Sequence, residues 1–339
     1  MNKLTKYGVS ALCGSLAAIS TANAGDLTVT GGVDMTWMSK DDDTTGNPLG
    51  IGSNLTFTGS GELDNGWSVD LSVAHLNGNG YSNTNVTVGV PGLGDFRISQ
   101  GVSGSGIDRM DDMTPNVWEE AYGTGLGHTM DTVAGVSGGA GIEFTPSDMT
   151  PDGLTVRLSW SPNAGGSGNS DKATSGDDAS VKGSGWDLTA EASSDITGMD
   201  GLTLYGGISQ IEVYQDGSAH NDDAKERTVG AKYAVGGFTV GYQWSEEENG
   251  RATTTTKYTN DGYGITFAVN DDLSIGYNHY ESEQTSTTNV TEEASSIQIA
   301  YTMGGASIRL AESQGDNLGY STDAANDKDA TTLSVSLAF

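Results

Sequence analysis

Apolar and polar residues alternate along most of the chain, in segments of about ten residues set apart by turn formers, and this pattern limits the possible folds more than any other feature. In the first segment Leu27, Val29, Val33, Met35 and Trp37 share one face, with Thr28, Thr30, Asp34 and Thr36 on the other. Successive side chains of a strand point to opposite sides, so such a segment is a strand with one apolar and one polar face. Leu55, Phe57 and Leu63 repeat the pattern against Asn54, Thr56, Thr58, Ser60 and Glu62. Asp64-Asn65-Gly66 then supplies a tight hairpin turn. Trp67, Val69, Leu71 and Val73 resume the apolar face opposite Ser68, Asp70 and Ser72, so the phase is kept across the turn.

The rhythm continues to the last residue. Segments 83–90 and 95–100 pair around Pro91-Gly92-Leu93-Gly94, and segments 141–145 and 154–161 pair across a short turn. Residues 186–194 pair with 202–213, where a phase break at Ser209 to Ile211 predicts a bulge. Further hairpins join 227–235 to 238–245, 263–269 to 273–280, and 295–303 to 306–311, and 331–339 is the final strand. The count is about 16, an even number, with short turns at one end and long polar connections at the other, as a transmembrane barrel requires. One of those connections, 161–185, is rich in Gly, Ser and Asp and reads as a flexible polar loop. A soluble β-sandwich also alternates, but its two ends need not differ and its inward face is apolar. Here the second face is mostly Thr, Ser, Gly and Asn, which suits water better than a dry core.

Residues 1–24 carry Lys3 and Lys6, an apolar run from Val9 to Ile19 and the small-residue site Ala22-Asn23-Ala24, the pattern of a secretory signal peptide. The mature chain is then one domain, 25–339. Two of the 15 basic residues leave with the signal, so 13 remain against 45 acidic ones, a net charge near −32. Nucleic acid is excluded as a partner, because clustered Lys and Arg must neutralise phosphates. Cys13, the only cysteine, lies in the signal without a lipoprotein box. Beyond residue 24 no segment approaches the roughly 20 apolar residues of a membrane helix. A chain like this crosses a membrane only as a closed barrel, in which every backbone group is bonded within the sheet.

Residues 101–141 interrupt the alternation. Roughly forty residues are too many for an ordinary connection. Thr114 before Pro115 reads as a cap and a first helical residue, which predicts two helical turns over 116–122 ended by Gly123. Asp108, Asp111, Asp112, Glu119 and Glu120 lie in this stretch, with Arg109 as its cation. It is expected to fold into the lumen and form the narrowest and most acidic part of a pore. Binding of Ca²⁺ by Asp108, Asp111 and Asp112 is a second reading, since carboxylates suit a hard cation; otherwise no cofactor is expected.

Four features together resemble the trimeric general porins of Gram-negative outer membranes, most closely the alphaproteobacterial type: the signal peptide, the phrase Gly94-Asp95-Phe96-Arg97-Ile98-Ser99, the acidic insertion, and the ending Leu333-Ser334-Val335-Ser336-Leu337-Ala338-Phe339. The resemblance implies a 16-stranded transmembrane antiparallel β-barrel, three to an assembly, with its long third loop folded into the lumen opposite basic wall residues. A terminal Phe339 is similar to the signal read by the outer-membrane barrel assembly machinery. Basic residues are few for such a family.

The polar face presents Arg97, Arg157, Lys232 and Arg309 against Asp34, Glu62, Asp70, Asp187 and Glu191. With the loop acids added, negative charge dominates, and carboxylate rings favour cations. The preference is expected to be moderate, because salt screens over about 10 Å at 0.1 M. Asp41–Asp43, Asp222 with Asp223, and Glu246–Glu248 read as solvated loop tips, or as points where divalent cations bridge to lipopolysaccharide. Trp67, Trp160, Trp186, Trp244, Tyr242 and Phe339 read as aromatic girdles facing outer-membrane lipid rather than sugar-stacking platforms. Gly135-Val136-Ser137-Gly138-Gly139 matches a hydrolase G-x-S-x-G without its strand-to-helix elbow. His75, His128, His220 and His279 show no metal-ligand spacing. The expected function is a non-enzymatic, cation-preferring diffusion porin for small hydrophilic solutes; a nutrient-specific porin and an exported acidic surface or adhesion protein without a pore are the alternatives.

Overall fold

The computed structural model describes residues 27–41, 48–77, 83–101, 103–111, 113–126, 130, 132–164, 182–215, 219–250, 256–286 and 289–338. The signal-peptide reading, Asp112 and Phe339 lie outside the described residues. Sixteen strands follow in chain order: β1 (Leu27–Lys40), β2 (Leu49–Glu62), β3 (Ser68–Leu76), β4 (Asn83–Val90), β5 (Gly94–Gln100), β6 (Gly141–Pro146), β7 (Leu154–Ser161) and β8 (Lys182–Ala192), then β9 (Leu202–Gln215), β10 (Ala219–Val235), β11 (Phe238–Glu248), β12 (Lys257–Ala268), β13 (Leu273–Thr285), β14 (Val290–Met303), β15 (Ala306–Asp316) and β16 (Lys328–Ala338). Each pairs with its sequence neighbours, and β1 pairs antiparallel with β16, from Gly32 opposite Ala338 to Lys40 opposite Ala330. The sheet closes on itself, which removes the unpaired edges that no membrane structure tolerates.

The apolar face is the outer one. Ile51 is 75% exposed, Ile297 61% and Val229 56%. A continuous apolar wall of this kind is untenable in water and is the expected surface toward lipid. The inner face carries Ser, Thr, Asn and Gln, many of them buried under the inserted loop, such as Ser296, Asn278 and Gln298.

The strands at the long-loop end run further than their sequence pattern indicates. Asp222, Asp223 and Glu246–Glu248, read as loop tips, belong to β10 and β11. Glu246 accepts from Arg227 at 2.6 Å and also pairs with Lys257. Above the bilayer both faces of a strand meet water, so the pairing continues while the alternation that announces it stops. Similarly, Lys182–Gly185, read as loop, opens β8.

The bulge expected at Ser209–Ile211 is not in β9. That strand keeps its phase, with Tyr205, Ser209, Ile211 and Val213 all buried on the inner side. The extra residues sit in its two neighbours, between Lys182 and Gly185 of β8 and between His220 and Asp223 of β10. What looked like a slipped phase is apolar residues on the inner face. Ile211 and Val213 form a buried cluster with Val136, Ala164 and Ala224, so they serve as a pad for the inserted loop.

Candidate functional site in the barrel lumen

The segment joining β5 to β6 enters the barrel and is held along its backbone by wall side chains. A stretch without regular structure leaves N–H and C=O groups that need partners, and inside a barrel the wall supplies them. Its first part makes a 3-10 turn, Gly106–Met110. Glu143 on β6 accepts from the Gly106 N–H at 2.8 Å, from Ser159 Oγ at 2.9 Å and from Arg109 at 2.5 and 2.6 Å. Asp187 on β8 accepts from the N–H groups of Ile107 at 3.0 Å and Val136 at 3.1 Å. Glu226 on β10 accepts from the N–H groups of Ala134 and Gly135, both at 2.7 Å. Gln243 on β11 donates to the Met110 carbonyl at 2.6 Å.

The second part crosses to the opposite wall. Gln298 on β14 accepts from the N–H groups of Val117 at 3.3 Å, Trp118 at 2.9 Å and Glu119 at 3.3 Å, and donates to the Glu119 carbonyl at 2.6 Å. Asn278 on β13 donates to the same carbonyl at 3.1 Å. Lys40 on β1 donates to the Leu126 carbonyl at 3.2 Å. Ala121, Tyr122, Leu126 and Met130 bury themselves against Tyr280, Ala294, Leu318 and Ala330. The expected two helical turns over 116–122 are absent, because these backbone groups bond to Gln298 and Asn278 instead of to one another. Thr114 is buried with its hydroxyl unbonded, so it caps nothing.

Glycines let the loop lie this close. Pro115 rests on the inner face of Gly241 and Gly264, where a Cβ on Gly241 would come within 2.5 Å of the proline ring and one on Gly264 would strike the Pro115 carbonyl. Gly106, at φ +59, presses against the Asp187 carboxylate, a position where both the backbone angle and the contact exclude a side chain.

The sequence-predicted residues divide by what they touch. Asp108 accepts from the Gly104 N–H and, at 2.9 Å, from Ser137 Oγ, and Asp111 accepts from Thr132 Oγ1, so both brace the loop internally. Ser137 thus has a structural bond in the stretch that matched G-x-S-x-G. Glu120 is buried, taking a hydrogen bond from Asn116 at 2.8 Å, whereas Glu119 is exposed. For Ca²⁺, the geometry shows Asp108 and Asp111 already engaged with donors, and Asp112 lies outside the described residues. Among wall residues, Arg157 pairs with Glu191 at 2.5 Å. Arg309 lies 3.7 Å from Asp34, which also accepts from Ser334 at 2.6 Å. Arg97 stands across the ladder from Glu143, Lys232 reaches 3.9 Å from the Met113 sulfur of the loop, and Asp70 is exposed on the inner side of β3.

Sequence reasoning missed Glu143, Glu226, Gln243, Asn278 and Gln298 as loop anchors, and took Asp187 for a pore charge when it is fully buried. His279, read as isolated, meets Glu281 and Glu293 with ligand atoms within 4.8 Å of one another, on the outer face of β13 and β14.

A closed barrel that is apolar outside, polar within and partly filled by its own loop is a membrane channel of the outer-membrane type. The chain belongs to the Gram-negative porin family, whose model matches residues 8–339; it is an outer-membrane porin. Among solved structures it is similar to OmpT of Vibrio cholerae in its trimer form, at 12% identity and TM-score 0.65, covering 93% of this chain and 100% of that one. It is also similar to the anion-selective porin of Comamonas acidovorans, at 13% identity and TM-score 0.66 with 93% and 99% covered. A mutant of the Rh. blastica porin matches at 17% identity and TM-score 0.58 with 93% and 100% covered. At these identities the likeness is one of fold. No curated protein sequence matches the chain.

Proposed function

We propose that this porin is a general diffusion channel with a preference for cations, passing small hydrophilic solutes without chemistry and working as a homotrimer assembled by the outer-membrane barrel machinery. The observation that carries the ion preference is the state of the wall cations: Arg157 and Arg309 are each matched by an acid, while Glu119 and Asp70 remain exposed to the lumen. With a whole-chain net charge of −30, the excess field in the water path is negative. Asp108, Asp111 and Glu120 contribute through the shape of the loop more than as open charges. Arg97 and Lys232 add positive charge on the wall beside the loop, Arg97 across the ladder from Glu143 and Lys232 at the Met113 sulfur. The trimeric OmpT likeness supports the assembly, and a lipid-faced outer wall supports contact with outer-membrane lipid and lipopolysaccharide.

The test is reversal potential across a planar bilayer under a KCl gradient. The wild type is expected to give the cation-selective sign, weakening as salt shortens the screening length. Glu119→Gln with Asp70→Asn should move the potential toward zero while leaving conductance in the same range. An anion-selective wild type, or a double variant indistinguishable from it, would refute the reading.

A further inference from the structure

Away from the lumen, β13 and β14 bring one imidazole and two carboxylates together on the outer wall. His279 and Glu281 are two residues apart on β13 and so share its outer face, and Glu293 of β14 is the register partner of Glu281. One ligand atom from each of the three lies within 4.8 Å of the other two. We propose that His279, Glu281 and Glu293 bind a zinc ion taken from the surrounding solution.

The row that holds the two glutamates is acidic along its length. Asp261 of β12 stands beside Glu281, and Asp316 of β15 beside Glu293, so adjacent strands present carboxylates in line. Like charges directly opposite on a ladder destabilise it. Among the described residues no ammonium or guanidinium pairs with any of these acids, and Arg227 and Lys257 on the neighbouring strands both go to Glu246. A bound cation would relieve the row. A plain His279–Glu281 ion pair accounts for one glutamate and leaves Glu293 facing Glu281 uncompensated.

Carboxylates alone would attract any cation, and the imidazole is what selects among them. Its ring packs against Tyr263 at 5.0 Å between centroids, the side chain is 13% exposed, and Nε2 stands 3.2 Å from Glu281 Oε1. Two ligands on a tetrahedral zinc ion, with bonds near 2.1 Å, stand roughly 3.4 Å apart. His279 and Glu281 are therefore already at ligand spacing, and Glu293, an exposed and flexible side chain, closes the remaining gap by a change of rotamer. Calcium and magnesium favour all-oxygen shells, whereas imidazole with carboxylate suits zinc. Three protein ligands leave the fourth position to water. Access comes from the aqueous side: Glu281 and Glu293 lie one row beyond Tyr242, Tyr263 and His279, away from the short turn between β12 and β13. Tyrosines of an aromatic belt mark where lipid gives way to water.

Calorimetric titration of the refolded protein with ZnCl₂, in detergent free of lipid, tests the proposal, with MgCl₂ and CaCl₂ as controls. The wild type should take up zinc saturably and hold it against an equal concentration of either control ion. His279→Ala and Glu293→Gln should each bind it about tenfold more weakly, a difference near 1.4 kcal/mol, with unchanged conductance as the sign of an intact barrel. Cu²⁺ in place of zinc should show hyperfine coupling to an imidazole nitrogen that His279→Ala abolishes. No saturable uptake by the wild type would overturn the proposal, as would variants that bind like it. Equal displacement by magnesium or calcium would overturn it too, because carboxylates alone would then be holding the ion. The Glu119→Gln/Asp70→Asn variant should bind zinc as the wild type does; weakened binding there would place the ion in the lumen and refute the assignment. The inference uses neither the ion preference nor the pore, so this titration and the reversal potential fail independently.

Discussion

Replacing Gln298 with Leu should release the middle of the inserted loop and leave the barrel whole. Gln298 is 1% exposed and holds residues 117–119 through one carbonyl oxygen and one amide nitrogen. Its two shorter bonds, 2.9 Å from Trp118 and 2.6 Å to Glu119, dominate, because the two at 3.3 Å share the same oxygen. At about 1 kcal/mol net for each good bond, and more where a buried group is left unpartnered, the loss is roughly 2–3 kcal/mol. That enlarges the undocked population of this segment by a factor of roughly 30 to 150. Hydrogen exchange reads it directly: the amides of Val117, Trp118 and Glu119 should exchange faster by about that factor, with the strand amides of β13 to β15 unchanged. Single-channel traces should become noisier as the segment leaves and returns. Gln298→Glu keeps the acceptor but loses the donor to the Glu119 carbonyl, so it should also loosen the segment. Unchanged exchange at 117–119 in Gln298→Leu would mean that the loop is held by its apolar contacts, and the assignment of Gln298 as an anchor would fall.

Gly264→Val should push Pro115 off the wall, because the new side chain meets the Pro115 carbonyl, and the displaced segment should change single-channel conductance while the barrel still forms; the same conductance as wild type would show that the loop does not press there. Ile299→Arg, on the outer face of β14, should destabilise the barrel by up to about 2–4 kcal/mol if the site lies near the bilayer midplane, measured by urea unfolding in vesicles. No loss would mean that this face does not meet lipid.

Most of the barrel was legible because lipid outside and water inside impose opposite demands on alternate residues. Leu333, Val335 and Leu337 against Ser334 and Ser336 need no further context to be read as a strand. The reading weakened where that contrast ends. Past the membrane, Glu246, Glu247 and Glu248 are polar on both faces, and nothing local says that the ladder with β10 continues. It failed differently at 116–122, where Thr114-Pro115 carries a good helix-start signal but the backbone bonds to Gln298 and Asn278, far away in sequence. Propensity is a weak prior when a wall of amides competes for the same groups.

The loop's resting place was nevertheless written into the strands, as exceptions to the polar inner face. Three kinds of exception occur: glycine where backbone meets wall, as at Gly241 and Gly264; apolar residues where the loop buries its own, as at Ile211, Val213 and Ala294; and acids or amides fully withdrawn from water, as at Asp187 and Gln298. A position facing open water needs none of these, since Ser or Thr is hydrated without help. Each exception therefore costs solubility or backbone order unless something covers it. This also separates two uses of a carboxylate that composition cannot tell apart. Asp187 and Glu226 accept from backbone N–H groups of the loop, and Glu143 from one such group and from Arg109, so all three hold the loop in place, and on the function proposed above the ion path is left to the acids that keep contact with water.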